Sequence, residues 1–89
     1  MPPLPSFAII VLDKGFVYVG HFALLEGGWF TISKAQCVRR WGTESGLGQL
    51  ASGGPRTETK LEPAPNIFAP LHALMHLIEC NLESWKAHV

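Results

Sequence analysis

The sequence predicts a mostly β domain, a small curled sheet or barrel of five to six antiparallel strands with one or two short helices. Three observations predict it. A β-branched apolar run at Phe7 to Leu12 stops at the turn signal Asp13-Lys14-Gly15. Two further apolar runs flank Gly27-Gly28, a strong short-range hairpin signal. The chain is 89 residues long, which is one domain.

The N-terminal Met1 to Ser6 is proline-rich and is expected to be an extended tail, leaving residues 7–89 as the single β-rich domain. Phe16 to Glu26 resumes the strand pattern, with Phe16, Tyr18, Gly20 and Phe22 on one face and Val17, Val19 and His21 on the other. Gly20 inside that strand predicts a bulge or a close backbone approach. Trp29 to Ser33 completes a three-stranded meander, and Ala35 to Trp41 reads as a fourth strand.

The pattern breaks at Gly42. Thr43 or Ser45 is then placed to N-cap a short helix over about Gly46 to Ala51, with Gly53 as its left-handed stop. Each helix glycine costs about 1 kcal/mol relative to alanine, so tertiary contacts must hold this helix. Prolines bracket a polar stretch from Arg56 to Glu62, where Thr57, Thr59 and Leu61 alternate as an edge strand would. Leu71 to Cys80 fits two patterns. Leu71, Leu74, Met75 and Ile78 make a helical stripe, while Ala73, Met75 and Leu77 alternate; the strand reading, Ala73 to Glu79, is preferred. Asn81 is then expected to cap a terminal helix from Leu82 to His88, docked by Trp85. Trp29 is expected to pack on the sheet beside the hairpin.

Composition narrows the function. Hydrophobic residues make up 47% of the chain and charged residues only 16%, with seven basic side chains balancing seven acidic ones. So apolar a surface on so small a domain predicts a homo-oligomer. Zero net charge argues against a general nucleic-acid binder, whose affinity comes from lysine and arginine contacts to phosphate. No apolar run is long enough to span a membrane, and no secretory signal opens the sequence; a cytoplasmic protein with Cys37 and Cys80 as free thiols is expected.

The four histidines and two cysteines lack metal-site spacing, and His72 and His76 share a face only if their segment is helical. No nucleophile elbow or paired-acid pattern is present, so neither metal, cofactor nor enzymatic activity is expected. The segment Arg39-Arg40-Trp41-Gly42-Thr43, running into Ser45-Gly46-Leu47-Gly48, carries more chemistry. Arg39 and Arg40 offer charge-assisted contacts to an anion, and Trp41 offers a stacking surface. Thr43, Ser45, Gly46 and Gly48 open a helix onto bare backbone N–H groups. These seven residues are the candidate ligand site, for a small anion or nucleotide. Two readings compete with it. In one the glycines permit close helix packing, Trp41 fills the core and the arginines are solvated or pair with Glu44. In the other Trp41 and the arginines anchor a protein partner.

The order of these features resembles a family of small, functionally unassigned proteins of tailed bacteriophages and prophages. The resemblance rests on Arg39-Arg40-Trp41-Gly42, on Leu47-x-x-Leu50-Ala51-x-x-Gly54, on the proline-broken loop at Gly53-Pro55, and on a late apolar segment ending at Cys80. It covers about Ile9 to Cys80. It implies a phage-encoded accessory protein with a strand before Cys80, and it brings no activity with it. Three roles follow for such a protein: sequestering a host nucleotide signal, binding a host defence protein directly as anti-CRISPR proteins do, or serving as a minor virion component. The first requires a pocket where arginines and N–H groups converge; the second requires an exposed patch without one.

Overall fold

The computed structural model describes residues 4–89, so the expected tail lies outside the description at Met1 to Pro3. Six antiparallel strands form one sheet: β1 (Phe7–Leu12), β2 (Val17–Leu25), β3 (Trp29–Arg40), β4 (Lys60–Pro63), β5 (Ile67–Pro70) and β6 (Leu74–Glu79). Their order is β4-β3-β2-β1-β6, with β5 paired to the other half of β3. The one α-helix among the described residues, α1 (Leu47–Gly53), lies in the excursion between β3 and β4. The sheet does not close into a barrel.

The predicted third and fourth strands are one strand. Lys34 takes a positive φ of 50° and lets β3 run on through a bend. The β2–β3 register shifts there, between Val19 and His21. Gly20 fits the expectation of a close approach, because a Cβ would lie 2.8 Å from Ile32 Cγ2 and 2.9 Å from the Ser33 carbonyl oxygen.

The bend folds the sheet over itself. Pro70 pairs with Trp29 at the start of β3, while Leu74 pairs with Leu12 at the end of β1. Only a 3-10 turn, Leu71–Ala73, joins them, and it can span at most about 14 Å. The far half of the β2–β3 hairpin, with β5, therefore turns back as a distal wing over β1 and β6. Phe22, Phe30 and Ile32 of that wing pack with Ile10 and Leu12 of β1, and Leu74 and Leu77 lean on them from β6.

A second apolar layer covers the opposite face of the central strands. Phe7, Ile9, Val17, Val19 and Val38 meet Leu50 and Ala51 of α1 and the indole of Trp85, which is fully buried. The Trp85 indole N–H donates to the carbonyls of Leu50 (3.2 Å) and Ala51 (3.0 Å), the Asn81 N–H donates to Ala51 (2.9 Å), and the Ser84 hydroxyl donates to Ser52 (3.0 Å). These are carbonyls of the last turn of α1; that of Leu50 also accepts the Gly54 N–H, whereas those of Ala51 and Ser52 have no partner within the helix. The C-terminal segment thus holds a helix too short and too rich in glycine to stand alone.

Several expectations need correction. The terminal segment from Leu82 to His88 is a run of turns, although Asn81 Oδ1 does accept the Glu83 N–H (3.0 Å) as a cap would. Its backbone bonds follow the burial of Trp85, which outweighs helical regularity. The stop of α1 is Gly54 (φ 80°), whose N–H donates to Leu50, and not Gly53. Helix α1 begins at Leu47 with Gly46 as N-cap and no side-chain cap, so neither Thr43 nor Ser45 has that role. The strand expected before Cys80 is present as β6; an edge strand in the polar stretch is present as β4 but begins only at Lys60, leaving Thr57 and Thr59 in the turn before it; and β5 was hidden by its flanking prolines.

Gly20→Ala should lower stability by about 1–3 kcal/mol in urea unfolding, because the new methyl meets backbone on two sides and cannot be relieved by one rotamer change.

Candidate functional site

The end of β3 carries Arg39 and Arg40, and the excursion from β3 to β4 carries the other five candidate residues. β3 ends at Arg40, which pairs with Lys60, and Arg39 is the extra residue where the β3–β4 register shifts. Beyond them, Gly42 has φ 69°, and a Cβ there would overlap the backbone of Thr59. Thr59 grips this point: its hydroxyl donates to the Trp41 carbonyl (2.7 Å) and accepts the Arg56 N–H (2.9 Å). The sequence Trp41-Gly42 is therefore a crossing point of two backbone segments, and the glycine is needed for the approach.

The polar groups of the loop are largely engaged with each other. Thr43 Oγ1 donates to the Gly46 carbonyl at 2.8 Å. The Ser45 N–H donates to Gln49 Oε1 at 2.6 Å, which removes one of the donors a phosphate would use. Ser52 Oγ donates to the Gly48 carbonyl at 3.1 Å. Gly48 itself faces open space. The two guanidiniums are held by two different carboxylates, Arg39 by Glu62 (3.5 Å) and Arg40 by Glu58 (4.0 Å), and neither by Glu44. Trp41 does not fill the core: it is 45% exposed, with its ring edge close to Gly46. Among the described residues there is no pocket, and no group of three His, Cys, Asp or Glu side chains is arranged to hold a metal ion. No helix of the described residues is long and apolar enough to cross a membrane.

Both cysteines are free. Cys80 is buried under Trp85 and Phe7, and that burial pushes its thiol up to about 12. A thiol so reluctant to ionise is a packing group and not a nucleophile.

A different surface was missed by reading the sequence. Cross-strand partners share a face of the sheet. Leu25, Trp29 and Pro70 are such partners, as are Ala23, Thr31 and Phe68. The opposite side of this wing holds the fully buried Phe30 and Ile32, so these six residues form its outer face. That face lies beyond the reach of α1: Leu25 is 41% exposed, Trp29 46% and Phe68 61%. Trp29 thus stands outward instead of packing as expected. The signal was present in the sequence, since both faces of the hairpin are apolar at Phe22-Ala23-Leu24-Leu25 and Trp29-Phe30.

Two outcomes follow. Gly48→Ala should raise stability by about 0.5–1 kcal/mol in chemical denaturation, because its methyl meets nothing and the helix gains propensity, whereas Arg39→Ala and Arg40→Ala should each change it by less than about 1 kcal/mol. As for pH, a thiol whose folded pKa lies above its ordinary value of 9.0 leaves stability intact below pH 9 and removes it progressively as pH rises toward 12. The alkaline slope of the unfolding free energy should therefore be shallower in Cys80→Ala than in the wild type. Among known proteins, no protein-family model matches the chain, and no curated protein matches it significantly.

Proposed function

We propose that the chain acts by binding another protein on the outer face of the distal wing, and not by catalysis. The observation that carries this reading is the uncovered set Leu25, Trp29 and Phe68, flanked by Ala23, Thr31 and Pro70. Exposed apolar patches on small domains mark interaction sites, and aromatic side chains beside a proline are typical anchors. The patch contains no charged residue, as expected for the centre of an interface. A phage-encoded accessory protein would use such a face on a host protein, in keeping with the resemblance to small tailed-phage proteins.

Nucleotide sequestration draws less support. It asks for converging arginines and free N–H donors in a cleft, while Arg39 and Arg40 pair with separate carboxylates and the Ser45 N–H is taken by Gln49.

The test is affinity capture from a bacterial lysate with the immobilised chain, followed by calorimetry with the purified partner. The wild type is expected to bind, and Trp29→Ser with Phe68→Ser to lose at least about 2 kcal/mol of binding while keeping the wild-type circular dichroism spectrum. A partner held equally well by the double variant, or heat on titration with cyclic dinucleotides that Arg40→Ala abolishes, would overturn the reading.

A further inference from the structure

The two edges of the sheet are treated differently by the sequence. The β4/β5 edge carries Pro63 and Pro70, with Pro65 between the strands and the charged Lys60 and Glu62, all of which discourage another strand from pairing there. The β6 edge, Leu74 to Glu79, has no proline, lysine or arginine. Its side chains are nonetheless those of an interior strand, since Leu74 and Leu77 pack on one apolar layer and Ile78 on the other. Met75 is 64% exposed.

The ladder to β1 defines which backbone groups remain. The Cys80 N–H donates to the Phe7 carbonyl (3.4 Å), and the pairs Ile9 with Ile78 and Val11 with His76 continue that register. Alternation along an antiparallel strand turns the N–H and C=O of Leu77 and Glu79 outward. Among the described residues these groups meet no backbone partner.

We infer that β6 pairs antiparallel with β6 of a second copy across a two-fold axis at Leu77, joining two sheets into one. The outward N–H and C=O of Leu77 then exchange both hydrogen bonds with the C=O and N–H of Leu77 in the second copy, which is the geometry a two-fold axis provides. In this register Glu79 lies opposite Met75 of the second copy, so the one acidic side chain of the strand never faces its like. Zero net charge leaves no long-range repulsion between copies. The interface is built on the β6 edge, uses none of the six residues of the outer face of the distal wing, and does not depend on the function proposed for that face.

The register makes charge substitutions at the exposed Met75 diagnostic. The wild type should show twice the monomer mass by light scattering at micromolar concentration, with slow hydrogen exchange at the Leu77 and Glu79 amides. Met75→Glu, facing Glu79 of the other copy, should raise the dimer dissociation constant about tenfold or more. Met75→Lys should not, and Met75→Glu combined with Glu79→Lys should restore the wild-type value. A monomeric wild type, a dimer with fast exchange at Leu77 and Glu79, or equal effects of Met75→Glu and Met75→Lys would each overturn the inference.

Discussion

The fold depends on one bend, where Gly20 of β2 lies against Ile32, Ser33 and Ala35 of β3 and Lys34 takes a left-handed conformation. Without it the distal half of the hairpin, with β5, would project away from β1 and β6 and leave Phe30 and Ile32 uncovered. With it Phe30 and Ile32 reach Ile10 and Leu12, and the sheet supplies both walls of its own core. The bend also explains why the sheet stays open. The distal wing packs over β1 and β6 face to face instead of hydrogen-bonding to them edge to edge, as happens where strands turn a corner through a bulge.

A second constraint follows from how the two apolar layers are shared out. Folding the wing inward buries one side of the central strands, and their other side needs a separate cover. Helix α1 and the C-terminal turns provide it together, each incomplete without the other. The helix supplies Leu50 and Ala51 but leaves the Ala51 carbonyl without a helical partner; the C-terminal segment supplies Trp85, whose indole fills the layer and donates to that carbonyl and to that of Leu50. This cover stops short of the distal wing. The outer face of Leu25, Trp29 and Phe68 is exposed because α1 and Trp85 pack against the other half of the sheet and no other described element reaches it.

The arginine- and glycine-rich segment is best understood within that arrangement. Its glycines serve backbone geometry, with Gly42 crossing Thr59 and Gly54 lying against Ser84. Its polar groups mainly close the loop upon itself. Positive charge is present at the strand end, but it is neutralised in two separate surface pairs that contribute little to stability. The more distinctive surfaces among the described residues are apolar: one sheet face without a cover and one sheet edge, β6, without the prolines that guard the other.

Much of this fold was legible in the residues. The run Phe7 to Leu12, the Gly27-Gly28 hairpin and the glycine inside β2 report local backbone preferences, and local preferences are written in short stretches of sequence. The ambiguous segment before Cys80 resolved as a strand because β1 offered it a hydrogen-bonding edge, which no property of Leu74 to Glu79 alone specifies. The same limit applies to the candidate site. The sequence identified residue types able to bind an anion, and the chain then drew Glu58, Glu62 and Gln49 onto them. By itself, then, the sequence determined a single antiparallel β domain, its principal turns and the need for a close approach at Gly20. Only the tertiary structure decided which of two apolar faces would be covered, because burial depends on which distant elements meet, and in this chain α1 and Trp85 reach one half of the sheet and leave the other exposed.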